Sequence, residues 1–195
     1  AAAEGIPVVG PLPADVLLLD LEDSVAPDAK EAARAQVVNA VKGGGYGKRE
    51  IIVRANALST PWGADDIVAA GSAKPDGVLA PKVSSAEEVI ALNNAMNKAG
   101  FSESATLWVM IETPRAFFNI AEIAACARKT RLSAFVLGLN DLAKETRARA
   151  TNGRAAFYAP LSLAVLAARA EGISAIYGVF NDIADSAGLE AECRQ

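Results

Sequence analysis

The sequence predicts an incomplete (β/α)8, or TIM, barrel: one partial-barrel domain over residues 1–195. Three observations carry this. Six short, continuously apolar runs alternate with Ala-rich amphipathic stretches. The runs begin at roughly 16, 51, 77, 107, 134 and 174, about 25 to 40 residues apart, the cadence of βα units around a parallel sheet covered on both faces. Each run also ends in a charged or amide residue. A barrel builds its site from the C-terminal ends of many strands, whereas a doubly wound sheet concentrates function at one switch point.

The elements follow in order. DVLLLDLED (15–23) is apolar, then abruptly acidic, and the Ala-rich stretch 28–41 reads as a helix. EIIVRAN (50–56) ends in Arg54 and Asn56, and residues 65–70 form a short helix. DGVLAPKV (76–83) ends at Lys82. Ser84 and Ser85, ahead of Glu87 and Glu88, are placed to cap a helix running to about Lys98. TLWVMIETP (106–114) ends at Glu112, and a helix over 115–129 follows Pro114. SAFVLGLNDL (133–142) ends in Asn140 and Asp141. A loop containing Asn152 and Gly153 leads to a helix over 160–170, and ISAIYGVFND (173–182) ends in Asn181 and Asp182. IPVVGP (6–11) is a candidate seventh strand, and an eighth would lie beyond Gln195. Gly43, Gly44 and Gly45 lack the strand-to-helix context of a phosphate cradle.

Composition removes whole classes of chemistry. The chain has no His, which excludes Ser-His-Asp triads, Cys-His dyads and HExxH zinc sites. Its net charge of -4 argues against a nucleic-acid partner and against a polybasic membrane anchor. The longest apolar runs, such as Val16 to Leu19, are too short to span a bilayer. No basic segment precedes an apolar one at the N-terminus, so no secretion signal is expected. Cys126 and Cys193 have no metal-ligand spacing; they read as reduced thiols, which points to the cytoplasm, with one disulfide as the alternative. Open strand edges in an incomplete barrel need covering, so a homo-oligomer is expected.

The remaining chemistry rests on carboxylates, amides and two cations. Glu112 and Asp141 follow consecutive apolar strands. Converging at one barrel mouth, they suit a hard divalent cation, Mg²⁺ with Mn²⁺ as a substitute; the plainer reading is two solvated strand-end acids. Arg54 can grip a substrate carboxylate in a two-pronged bond, or pair internally with Glu22 or Asp23. Glu22 and Asp23, close behind Asp20, invite a nearby cation or cap the next helix. Lys82 can form a Schiff base if desolvated, though pairing with a carboxylate is the favoured reading. Asn56, Asn140 and Asn181 bind substrate oxygens or hold turns. Trp62 packs a loop or covers a ligand, and Asp182 and Asp185 cap a helix or touch substrate.

The motifs LDLEDSVAPDAKEAAR, IIVRANALSTPWG, GVLAPKVSSAEEV, LWVMIETPRAFFNIAEIAA, FVLGLNDLAKETRA and YGVFNDIADSAGLEAECRQ, taken in order, add a family likeness. They resemble the citrate lyase beta-subunit-like branch of the HpcH/HpaI aldolase family, which includes citryl-CoA and malyl-CoA type lyases. The likeness runs from about Asp15 to Gln195. It implies a Mg²⁺-dependent (β/α)8 barrel assembled as a trimer or hexamer, cleaving a 3-hydroxyacyl-CoA into an acyl-CoA and a 2-oxo acid by retro-aldol chemistry. It implies that Glu112 of IETP and Asp141 of LND ligate the metal. Arg54 of VRAN binds substrate, and Glu22 and Asp23 of LEDS stand beside the metal as catalytic acids. The backbone from Gly138 through Leu139 and Asn140 helps to hold the oxo acid. The family pattern has a strand and helix before the LED motif and continues past ECRQ into an eighth strand and a segment that caps a neighbouring subunit. It often has Asp where this chain has Tyr177. Rival expectations are a metal-dependent aldolase acting on free 2-oxo acids, a Schiff-base aldolase using Lys82, and a non-catalytic subunit that binds CoA esters.

Overall fold

Alternation along each apolar run sorts its side chains onto two faces, and the computed structural model shows what covers each. It describes residues 13–149 and 154–194; the candidate strand at 6–11 and the turn residues Asn152 and Gly153 lie outside the described residues. Six strands form one parallel sheet in sequential order: β1 (Val16–Asp20), β2 (Glu50–Arg54), β3 (Gly77–Ala80), β4 (Thr106–Ile111), β5 (Leu132–Leu137) and β6 (Ser174–Ile176). The sheet curls into a half-barrel, the TIM-barrel-like architecture expected. Asp20 is in register with Arg54, and Leu79 with Trp108.

Leu19, Val53, Val78, Val109 and Phe135 face outward, where helices cover them. Those helices are α1 (Lys30–Gly43), α2 (Gly63–Ala73), α3 (Ala86–Lys98), α4 (Pro114–Phe118), α5 (Ile120–Ala125) and α7 (Tyr158–Ala170), with α6 (Leu139–Thr146) and α8 (Ser186–Arg194) near the strand ends. The concave face carries a second apolar layer of Ile52, Leu79, Trp108, Ala134 and Val136. Two apolar faces explain why the strands read as unbroken hydrophobic runs rather than alternating ones.

Several elements differ from expectation for local reasons. The helix expected over 115–129 breaks at Asn119, which ends α4 and begins α5 and donates its side-chain amide to the Ser84 carbonyl at 2.8 Å. The run 133–142 is not one strand: β5 stops at Leu137, and Asn140 and Asp141 belong to the first turn of α6. Similarly β6 is short, Asn181 and Asp182 lie in the loop after it, and α8 follows. α2 starts earlier than the composition suggested, at Gly63, which lies against the Ala57 carbonyl with no room for a side chain.

The start of α3 matches its sequence signal, with Ser85 Oγ accepting from the Glu88 amide and the Glu88 carboxylate accepting from the Ser85 amide. Ser85→Ala is expected to lower stability by about 1 kcal/mol, the usual loss of an N-cap. Gly71→Ala is expected to cost about 1–3 kcal/mol, because the added methyl runs into the Ala99 carbonyl at the end of α3. Urea unfolding of both variants checks the values and their order.

Candidate active site at the strand ends

The inward-facing positions at the C-terminal end of the sheet are Asp20 on β1, Arg54 on β2, Glu112 just past β4 and Gly138 just past β5. They rim a cavity of about 490 Å³ whose floor is Leu79, Trp108, Met110 and Val136. The chain therefore brings its polar strand ends together over an apolar base, where charges interact more strongly than in water.

Asp20, rather than Glu22 or Asp23, takes the fork of Arg54. Arg54 Nε donates to Asp20 Oδ1 at 2.7 Å and Nη2 to Oδ2 at 2.5 Å. The same carboxylate accepts from the Glu22 and Ser24 amides at 2.8 and 3.1 Å. Burial opposes ionisation of Asp20, but the Arg54 hydrogen bonds and the two amides outweigh it, holding the carboxyl at about 2. Arg54 Nη1 lies 3.0 Å from Glu22 Oε2 and 3.9 Å from Asp23 Oδ2. Both prongs of the guanidinium fork are thus taken up by Asp20, and its Nη1 end lies against Glu22. The register that sets Asp20 opposite Arg54 fixes this pairing, and it belongs to the sheet rather than to either segment.

Lys82 sits in the left-handed conformation at φ 55°, an unusual state for a residue with a side chain. This turn aims its backbone N–H at Glu112 Oε1, 2.8 Å away, and sends its ammonium to Glu22 Oε1 at 2.8 Å and Asp141 Oδ2 at 3.9 Å. The Glu22 hydrogen bond raises the Lys82 pKa against a partial desolvation. A firmly held proton runs against the Schiff-base expectation and agrees with the favoured one, pairing with carboxylates.

Glu112 is 2 % exposed. Burial pushes its carboxyl up to about 7, the Lys82 amide bond works the other way, and the charges of Asp141 and Glu22 push it further up. Gly138 lies so close that any side chain there would strike the Glu112 carboxylate. Asp23, with 64 % of its side chain exposed, is the open acid on the cavity rim. Asp20, Glu22, Asp23, Glu112 and Asp141 together outnumber Arg54 and Lys82, so the mouth carries an excess of negative charge. Among the described residues no three acidic or cysteine side chains are arranged to hold a metal ion by themselves. Mg²⁺ needs only one or two protein carboxylates beside water and substrate, so Glu112 and Asp141 remain a chemically suitable pair.

The other residues sort themselves by contact. The Leu139 side chain packs with Leu142 and Phe157, leaving its backbone at the cavity. Asn140 and Asn181 exchange amide hydrogen bonds at 2.9 and 3.4 Å, which fastens the loop after β6 to α6. Asn56 turns away from the cavity to Asp66. Trp62 packs over the Lys30 ammonium, 5.3 Å from its ring centre. Asp185 accepts from the Gly188 amide at the start of α8, the capping role, whereas Asp182 accepts from the Ala184 amide within the loop ahead of it. The Tyr177 hydroxyl donates to Glu192 at 2.9 Å and its ring lies under Arg154. A larger hollow of about 720 Å³ between α7 and α8, walled by Leu161, Val165 and Leu166, contains none of the converging carboxylates. Among the described residues no helix is long and apolar enough to cross a membrane, and Cys126 and Cys193 are free thiols.

Comparison with known proteins adds identity to this geometry. A (3S)-malyl-CoA thioesterase of Cereibacter sphaeroides is 44% identical over 184 residues, covering 94% of this chain and 61% of that protein. An L-malyl-CoA/beta-methylmalyl-CoA lyase of the same species is 34% identical over 206 residues, covering 93% of this chain and 64% of that protein. The chain thus spans less than two thirds of the length of these relatives. The crystal structure of the protein CitE from Mycobacterium tuberculosis, in complex with magnesium, acetoacetate and coenzyme A, superposes with a TM-score of 0.75 at 31% identity, covering 92% of this chain and 63% of that one. The profile of HpcH/HpaI aldolase/citrate lyase matches residues 3–195, and the chain belongs to that family.

Proposed function

We propose that this chain carries the metal and 2-oxo-acid half of a Mg²⁺-dependent carbon–carbon lyase acting on a 3-hydroxyacyl-CoA of the malyl-CoA or citryl-CoA type. The observation that carries the reading is Glu112: a buried carboxylate close enough to Asp141 and Glu22 to feel their charges, at a mouth where acids outnumber cations. A relative named for malyl-CoA lyase activity and a neighbour complexed with magnesium and coenzyme A support it.

Glu112 and Asp141 would hold Mg²⁺, or Mn²⁺ in its place, and the ion would supply Lewis-acid polarisation of the substrate oxygen. The chain's own groups do the rest. The backbone from Gly138 to Asn140 borders the oxo-acid end of the cavity. Asp23, the exposed acid, takes the proton of the substrate hydroxyl. The bond between the carbinol carbon and the acyl-CoA α-carbon then breaks. Its electron pair passes to the acyl-CoA as an enolate, which the Nη1 end of Arg54 steadies until the α-carbon is protonated. Glu22, fixed between Arg54 and Lys82, balances charge and holds both cations in place.

A second reading is favoured by the 44% identical relative named as a thioesterase. There water attacks the thioester carbonyl, the CoA thiolate leaves, and the carbon–carbon bond stays intact. Supplied with L-malyl-CoA, the full-length protein is expected to release glyoxylate and acetyl-CoA. Malate and free CoA as the only products would replace the lyase reading with the hydrolytic one.

Mn²⁺ titration of this chain is expected to show binding that strengthens with oxalate. Glu112→Gln and Asp141→Asn should each weaken it by at least about 10–100-fold, the loss that even outer-shell changes cause. Retained binding in both variants would remove these residues as ligands.

The same titration has a signed pH dependence. Below about 7 Glu112 keeps its proton, which the ion must displace, so Mn²⁺ affinity should fall about tenfold per pH unit there and level off above. Without metal the sign reverses for folding: between 4.5 and about 7 the folded chain binds more protons at Glu112 than the unfolded chain, so this group lowers stability as pH rises. Glu112→Gln should flatten that part of a stability-against-pH curve measured by urea unfolding.

A further inference from the structure

Behind the acidic turn that follows β1 lies a second set of charges that the proposed chemistry does not use. Lys30 is 6 % exposed, and a buried ammonium is costly unless its donors are met. Its Nζ donates to the Leu21 carbonyl at 2.7 Å, the Glu22 carbonyl at 2.7 Å and Asn56 Oδ1 at 2.9 Å. Asn56 in turn donates to the Leu21 carbonyl at 2.8 Å and, from its side chain, to Asp66 Oδ2 at 2.6 Å. Asp66, 1 % exposed, accepts from Arg34 Nε at 2.8 Å. Lys30, Asn56, Asp66 and Arg34 thus tie α1, the end of β2 and α2 to two successive peptides, Leu21–Glu22 and Glu22–Asp23, which flank the Glu22 Cα.

Those two peptides are the back of the active-site turn. Its front carries the Glu22 carboxylate, which meets Arg54 Nη1 at 3.0 Å and Lys82 Nζ at 2.8 Å. Two successive carbonyls drawn to one ammonium fix the planes of the peptides on either side of the Glu22 Cα, and with them the direction in which the Glu22 side chain leaves the backbone. Asp20, by contrast, is held by strand register and needs no such support. We propose that Lys30 is a positioning residue for Glu22: clamped on the Leu21 and Glu22 carbonyls from behind, it sets the turn that presents the Glu22 carboxylate to Arg54 and Lys82. The effect on ligand binding rests on the function proposed above; the effect on Glu22 does not.

The test compares Lys30→Met with the wild type, with Lys30→Gln as the second variant should the first fail to fold. Val89→Ala, in the buried face of α3 away from the site, controls for lost stability. Nitrogen-15 NMR of the Arg54 side chain reads the two sides of its guanidinium separately. In the Lys30 variants the Nη1 signals that report Glu22 should shift and broaden, while the Nε signal held by Asp20 persists; in Val89→Ala neither should move. Oxalate binding to the Mn²⁺-loaded variant should weaken about tenfold, the lower end of outer-shell effects. Unchanged Nη1 signals in a folded Lys30 variant, or an equal change in Val89→Ala, would overturn the proposal. If the wild type binds neither Mn²⁺ nor oxalate, the proposed function falls and the Arg54 signals alone decide the role of Lys30.

Discussion

The mouth of this sheet depends on keeping like charges close without letting them repel one another apart. Five acids approach a space bounded by two side-chain cations, above an apolar floor that screens little. Asp20 resolves its share by accepting four hydrogen bonds, two of them from Arg54, and stays ionised well into acid. Glu112 cannot do the same: it is buried, has one backbone donor from Lys82, and retains its proton near neutrality instead. The contrast between two carboxylates on one rim follows from their partners, since both are largely removed from water.

Lys82 joins the two sides of this arrangement. Its ammonium belongs to the Glu22 side and its backbone amide to Glu112, an arrangement that requires the left-handed turn at this residue. The local strain of that turn, of order 1–3 kcal/mol for a non-glycine residue, is offset by two hydrogen bonds to carboxylates. A lysine at this point therefore acts through its backbone as much as through its charge.

Much of this was legible in the sequence. Parallel strands buried on both faces leave unbroken apolar runs, so all six strands and their cadence could be read. Their polar ends named Glu22, Arg54, Lys82, Glu112 and Asp141, because the C-terminal ends of parallel strands share one rim. Other features were hidden for physical reasons. α6 begins where apolar residues continue past a strand, so periodicity over so few residues cannot separate strand from helix. The choice of Asp20 as partner of Arg54 depends on strand register, which an isolated segment does not encode. Nothing in the composition around Lys82 announces a positive φ, and the burial of Lys30 depends on α1, β2 and α2 packing together.

The sequential strand order bears on how the protein reaches its native state. Every pairing in the sheet joins neighbours along the chain, so loops close over short separations and assembly can proceed unit by unit. Asp20, Glu22 and Arg54 can meet once the first two strands dock, whereas Glu112 and Asp141 await the fourth and fifth. A nascent chain emerging N-terminus first would therefore complete its arginine clamp early. The crowding of acids at the mouth would arise late, after most of the apolar surface that can resist it has already been buried.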